Sequence, residues 1–89
     1  MEEVLKMTEA RAQILDRIQA VIRQEVKDRS LVVDENTRAP EVSGWDSLAH
    51  VQIVVAVEKA FGIRLKASEV ARLENVGSLV DIVVVRGQG

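Results

Sequence analysis

The stretch "GWDSLAHVQIVVAVEKAFGI", residues 44–63, decides what kind of domain the chain forms. Its centre is rich in β-branched residues in rough alternation, which by local preference alone favours a strand. Over about four turns, however, its apolar residues recur at the steps of one, three and four that mark one face of a helix. This predicted core stripe consists of Ala49, Ile53, Ala56, Val57, Ala60 and Phe61. We therefore predict a helix over residues 46–61, capped by Asp46 and stopped at Gly62.

The same helix carries a second apolar row, formed by Leu48, Val51 and Val55. A helix in a small bundle needs only one apolar face, so this row is either additional core or an exposed docking surface. The row begins directly beside Ser47, which makes that serine the residue to explain.

Upstream, the pattern predicts a first amphipathic helix and then a long loop. Apolar residues recur at helical spacing through residues 8–27, with charged and polar residues between them. Residues 28–44 contain the only proline and several turn-forming residues, so they break that period. Because the loop is long, we expect Leu31, Val32 and Val33 to pin it to the core.

Downstream, two further helices are predicted. A short one covers residues 67–73 and presents Val70 and Leu73 to the core. Asn75 then caps a last helix from Val76 to about Val84, with Leu79, Val80 and Val83 inward. Its "DIVVV" run also fits a strand. The expected fold is all-α, a bundle of three to four helices.

Composition limits the functions that such a chain can have. Its 89 residues suffice for a single domain, which we expect to span residues 1–89 with a folded part of about 8–85 and flexible ends. Zero cysteines exclude a disulfide framework, and a single histidine argues against a metal cluster, so no metal site is predicted. The amino terminus is acidic and no segment has the length of a membrane span, which indicates a soluble, cytoplasmic protein.

Charge argues against a nucleic-acid partner. The net charge is −2, and residues 31–62 hold five acids against two bases, so the negative excess lies around Ser47. A small DNA-binding helix pair remains an alternative, with Arg64, Lys66, Arg72 and Arg86 as its only cations in the last helices. Salt-dependent DNA binding would reveal it.

Ser47 is better suited to be modified than to act as a catalyst. His50 is three residues away on the same helix, but no third group or oxyanion site accompanies the pair, so we predict no enzyme activity and treat His50 as a surface residue. In the first turn of a helix, the serine is accessible and the unpaired amides and the macrodipole favour an added negative group. A phosphorylated tether fits that position.

With "LKASEVARLENVGSLVDIV" following the opening stretch, nearly the whole chain resembles the acyl carrier protein family. The Asp-Ser-Leu motif at residues 46–48 is short, and its specificity comes from its place after a first helix and a long loop and before a helix ending in Phe-Gly-Ile.

The resemblance implies an antiparallel helical bundle carrying 4′-phosphopantetheine on Ser47, with Asp46 and Leu48 helping a magnesium-dependent phosphopantetheinyl transferase to recognise the site. The arm holds an acyl group as a thioester for acyl-loading and acyl-processing enzymes, and the carrier is expected to be a monomer. By the same resemblance, partners dock on Leu48, Val51, Gln52, Val55 and Glu58. The acyl chain retreats into a pocket lined by Ile53, Val57, Leu65 and Leu73.

The chain departs from carriers of general fatty-acid synthesis, whose second helix is usually strongly acidic. Here the corresponding exposed positions are Ala49, Gln52 and Lys59, which leaves Glu58 as the main acid. Electrostatic steering should be weak, which favours a specialised biosynthetic or lipid pathway over general fatty-acid synthesis. The alternatives are an unmodified helical interaction module, in which Ser47 is inert, and an aminoacyl or peptidyl carrier.

Overall fold

The computed structural model describes residues 2–86, with side chains described from Glu9 onward. It contains four α-helices: α1 (Glu2–Val26), α2 (Ser47–Phe61), α3 (Ala67–Ala71) and α4 (Val76–Arg86). A single 3-10 turn, Ala39–Glu41, interrupts the long loop between α1 and α2. Since the described part holds no strand and the "DIVVV" run is helical, the predicted all-α bundle is confirmed. Of the chain ends that we expect to be flexible, residues 1 and 87–89 lie outside the described residues.

α1 is longer than predicted because it begins at Glu2 instead of residue 8. Residues 2–7 contain the strong helix formers Glu, Leu, Lys and Met and no stop signal, although they lack the apolar period that marked the start of the prediction. At the other end the helix closes with Lys27 in the left-handed region (φ 59°), and the amide of Asp28 donates to the carbonyl of Arg23 at 3.0 Å.

α2 has both of the predicted end signals. The Asp46 carboxylate accepts from the Ala49 amide at 2.8 Å, which satisfies one of the orphan donors of the first turn. Gly62 has φ 64°, a conformation that glycine adopts without steric penalty, and its amide donates to the carbonyl of Glu58. These local signals overcome the β-branched composition of the helix interior.

The core lies where α1 packs against α2 and α4. Its fully buried side chains are Ile18, Ile22, Ile53, Val57, Val76, Leu79 and Val80. Leu79, Val80 and Val83 are all buried, which confirms the inward residues predicted for the last helix.

Four details of the predicted burial are wrong. Ala60 is exposed in the last turn of α2, where the Arg17 guanidinium donates to its carbonyl at 2.6 Å. Val54, outside the predicted stripe, is buried, so the buried face is wider than one stripe. Val32 is exposed because side chains alternate along the extended loop, and only Val33 and Leu31 point toward the core. Finally, Ala49 is buried, so its prediction on the core stripe is confirmed and its prediction as an exposed position is wrong.

The long loop is fixed by polar contacts with α1 and α4. The amides of Val76 and Gly77 at the start of α4 donate to the loop carbonyls of Thr37 and Glu35 at 2.9 and 2.7 Å. The Glu35 carboxylate in turn accepts two hydrogen bonds from Arg11 of α1, which also reaches Asp81 of α4 at 2.8 Å. The loop therefore supplies the partners that the first amides of α4 lack within their own helix.

α3 is shorter than predicted and ends at Ala71, while Val70 and Leu73 are half-buried. An ion pair between Arg86 and Glu69, at 2.7 Å, ties α3 to the end of α4. Within residues 2–86, no helix is both long and apolar enough to cross a membrane.

Candidate functional site

Ser47 is the first residue of α2 and is exposed to solvent. Its neighbour Asp46 holds the start of the helix in place by bonding the Ala49 amide. Among the residues with described side chains, none forms a hydrogen bond with the Ser47 hydroxyl. The amides of Ser47 and Leu48 lie in the first turn, where a helix has no internal acceptor for them. Ser47 therefore offers a free hydroxyl at the positive end of a helix dipole.

The loop reaches this position by passing very close to the end of α1. Gly44 has φ 88°, and a Cβ built on it would lie 3.2 Å from the carbonyl oxygen of Val26. The positive φ and the close approach both favour glycine at this point. Gly44 thus sets Trp45, Asp46 and Ser47 beside the carboxyl end of α1, a proximity that the sequence pattern did not reveal.

His50 is engaged by Trp45 instead of Ser47. The indole N–H of Trp45 donates to Nδ1 of His50 at 3.1 Å, and the two rings stack with their centroids 6.1 Å apart. An indole N–H can only donate, so Nδ1 of His50 is the acceptor of this bond. The histidine predicted to lie on the surface is half-buried by this pair. The pair also holds the imidazole in an orientation unrelated to activation of the serine.

The second apolar row of α2 is exposed. Leu48, Val51 and Val55 are 67%, 59% and 40% exposed, on the side of the helix opposite the buried Ile53. Gln52 is exposed beside them. Glu58 is half-buried, and its carboxylate accepts from the Leu65 amide at 2.8 Å. This hydrogen bond holds the loop after α2 against the helix.

The four residues predicted to line an acyl pocket lie in the core or pack against it. Ile53 and Val57 are fully buried in the core, and Leu65 and Leu73 pack against it. A small pocket of about 20 Å³ includes Leu73. Its other lining residues are Ala39, Trp45, His50, Glu74, Asn75 and Leu79. Sequence reasoning missed this pocket because contacts across the bundle leave no periodic signal.

Metal-binding chemistry has no counterpart in the described part of the chain. Its histidine, aspartate and glutamate side chains form no group of three or more that could hold an ion.

Comparison with known proteins gives one consistent result. The family model described as "Phosphopantetheine attachment site" matches residues 12–83. An acyl carrier protein of Thermosynechococcus vestitus is 27% identical over 73 residues, which cover 81% of this chain and 89% of that protein. One of Saccharopolyspora erythraea is 28% identical over 74 residues, covering 83% and 78%. The solution NMR structure of holo acyl carrier protein from Geobacter metallireducens superposes with a TM-score of 0.75 at 35% identity, covering 81% of this chain and 83% of that one.

Proposed function

The chain belongs to the acyl carrier protein family, whose covalent cofactor is 4′-phosphopantetheine, and from that premise we propose that Ser47 is the attachment residue. The observation that carries this proposal is the free, exposed hydroxyl of Ser47 at the first position of α2. A phosphodiester there would face the first-turn amides and the positive end of the helix dipole.

We further propose that a phosphopantetheinyl transferase performs the attachment and that this chain is its substrate. A bond forms between Ser47 Oγ and the phosphorus of the phosphopantetheine unit as the diphosphate bond of coenzyme A breaks. Adenosine 3′,5′-bisphosphate is the leaving group, and the hydroxyl proton passes to a base of the transferase. The Trp45–His50 hydrogen bond keeps the nearest imidazole engaged, so the transferase must supply the base. When bound, the arm supplies a terminal thiol that holds an acyl group as a thioester.

Three residues have distinct parts in this proposal. Asp46 fixes the start of α2 and so the position of Ser47. Leu48 and Val51 present apolar surface beside the attachment point, where a partner enzyme can bury it. We assign the docking surface to the exposed face formed by Leu48, Val51, Gln52, Val55 and Glu58.

The acyl chain needs a protected site, and the pocket beneath Trp45 is its proposed entrance. That pocket, about 20 Å³, holds little more than a single small group, so a longer acyl chain must part the core around Leu73. Ile53, Val57 and Leu65 are the side chains that such an opening would expose next. The aliphatic, aromatic-poor core is compatible with this movement because it packs few rigid rings.

A specialised biosynthetic or lipid pathway in the cytoplasm is the proposed setting. α2 carries one acid, Glu58, and one base, Lys59, and the Glu58 carboxylate already bonds the Leu65 amide. A partner that relied on a basic patch would find little to attract it on this helix.

The experiment that tests the proposal is intact-protein mass measurement after incubation with coenzyme A, magnesium and a broad-specificity phosphopantetheinyl transferase. We expect the wild type to gain one phosphopantetheine and Ser47→Ala to gain none. Ser43→Ala is the matched control, because Ser43 is also exposed but lies in the loop four residues earlier, and it should gain one. If the wild type stays unmodified while a known carrier in the same tube is modified, Ser47 is only a helix residue. The exposed row would then belong to an unmodified interaction module.

A further inference from the structure

A basic groove lies at the carboxyl end of α1, outside the site described above. It has a volume of about 650 Å³. Its lining consists of Ala20, Arg23, Gln24, Lys27 and Arg29. Three of these five side chains are cationic and none is acidic, so the groove presents a concentrated positive charge in a chain whose net charge is negative.

The cations of this groove are available to a ligand. None of the ion pairs described within residues 9–86 involves Arg23, Lys27 or Arg29. Arg23 uses Nε to donate to the carbonyl of Leu31 at 2.5 Å, whereas Lys27 and Arg29 are exposed. Asp28 lies between Lys27 and Arg29 in the sequence. Its carboxylate accepts from the amide and hydroxyl of Ser30, and it forms no described ion pair with either neighbour.

Lys27 occupies a backbone position at which glycine is the favoured residue. Its φ of 59° places it in the left-handed region, directly after the last residue of α1. A residue with a Cβ pays about 1 kcal/mol there relative to glycine. The chain therefore has a lysine where glycine would close the helix more easily.

A groove of mixed charge leads from the basic groove to the start of α2. A second groove, of about 360 Å³, shares Gln24 and Lys27 with the first and extends past Gly44 to Leu48 and Gln52. Glu25 and Asp46 also line this narrower part. The two grooves thus form one continuous surface from Arg29 to the edge of the docking surface.

The far end of the docking surface is also basic. Lys59 and Arg64 line a groove with Val55 and Glu58, and Glu58 is already hydrogen-bonded to the Leu65 amide. The excess of cations at this end, two against one acid, would disfavour a partner that presents a basic rim there.

We infer that the groove formed by Arg23, Lys27 and Arg29 binds an acidic segment, rich in aspartate and glutamate, of the enzyme that docks on α2. The identity of that partner as an acyl-processing or arm-attaching enzyme rests on the proposed function, whereas the charge preference of the groove does not. Lys27 serves both parts of the surface, because it lines the basic groove and the groove that leads to Leu48.

The test is an NMR titration of the full-length, isotope-labelled protein with an octaglutamate peptide at low ionic strength. We expect shifts in the amides of residues 20–29, and we expect salt to weaken the binding. The double variant Lys27→Gly/Arg29→Gln should bind octaglutamate about five-fold more weakly, because it loses two surface charge contacts. The matched control, Lys66→Gln/Arg72→Gln, removes the same charge from exposed positions around α3 and should bind like the wild type.

Melting temperature separates loss of charge from loss of structure. Lys27→Gly relieves the left-handed backbone, so its melting temperature should not fall although its peptide binding does. The inference is wrong if the double variant binds octaglutamate as well as the wild type does, or if the shifts lie at α3. It is also wrong if inorganic pyrophosphate binds the groove as tightly as octaglutamate, because the groove would then be a site for phosphate groups.

Failure of this inference and failure of the proposed function give different results. If Ser47 takes up the arm but octaglutamate leaves residues 20–29 unaffected, only the inference on the groove is wrong. If octaglutamate binds as expected while Ser47 stays unmodified, the groove is an acid-binding surface and the proposed carrier function is wrong.

Discussion

At the residue scale, Asp46 combines a structural contact with a position beside the attachment point. Its carboxylate accepts from the Ala49 amide, so Asp46→Ala should lower the free energy of unfolding by about 1 kcal/mol. Asp46→Asn keeps an oxygen that can cap the helix and should be nearly neutral. Urea denaturation measures both, and Asp16→Ala, an exposed site within α1, is the control. Equal losses for the alanine and asparagine variants would contradict a capping role.

Val51 allows the docking surface to be tested without disturbing the core. It is 59% exposed, so Val51→Asp should change stability by less than about 0.5 kcal/mol. We expect kcat/KM for phosphopantetheinylation to fall about ten-fold, the loss of a contact worth roughly 1.4 kcal/mol. Val32→Asp places the same charge on an exposed valine of the loop and should have no effect on that rate. An unchanged rate for Val51→Asp would remove Val51 from the docking surface.

At the element scale, Arg11 is the contact that joins α1, the long loop and α4. It donates two hydrogen bonds to Glu35 and forms an ion pair with Asp81 at 2.8 Å. Both carboxylates raise the pKa of the Arg11 guanidinium above its usual value, and Glu35 has the larger effect. Arg11→Ala should lower stability by about 1 kcal/mol, equivalent to a fall of roughly 4–8 °C in melting temperature. Arg72→Ala, at an exposed position after α3, is the control.

The raised pKa fixes the direction of any pH dependence from this arginine. A cation whose pKa is higher in the folded state stabilises the fold at all pH values below its unfolded pKa, and that stabilisation is lost only as the pH rises through the folded value. The ordinary pKa of a guanidinium already lies far above neutral pH. The effect of Arg11→Ala should therefore be the same at pH 7 and pH 9, and a clear difference between the two would contradict this assignment.

At the scale of the whole molecule, the small size of the pocket beneath Trp45 predicts that acyl cargo changes the bundle. The pocket, about 20 Å³, cannot hold an acyl chain of several carbons as it stands. Loading octanoyl in place of acetyl on the arm should therefore alter the emission of Trp45, the only tryptophan in the chain, and shift the amides of His50 and Leu73. Identical spectra for the two cargoes, with loading verified by mass, would mean that the chain stays outside the bundle.

The sequence predicted the features that depend on local chemistry. Asp46, Gly62 and Asn75 mark helix ends because their side chains or backbone freedom act within one turn, and the structure confirms all three, Asn75 accepting from the Ser78 amide at 2.9 Å. The β-branched run of α2 became a helix because its apolar stripe spans the core, which outweighs local strand preference.

The missed features depend on contacts between distant parts of the chain. The Arg17 guanidinium donates to the carbonyl of Ala60, 43 residues later. The basic groove lies where Lys27 ends α1 in a left-handed conformation. Neither effect has a period or a motif, so only the folded chain reveals it.

The central claim is that Ser47 carries the arm, and the most direct test is to map the modification on the protein isolated from its own cells. The chain contains five serines, at positions 30, 43, 47, 68 and 78, so fragment masses can distinguish them. We predict a single phosphopantetheine, confined to the fragment that contains Ser47 and located on that residue. A phosphopantetheine on any other serine, or protein that carries none, would contradict the account.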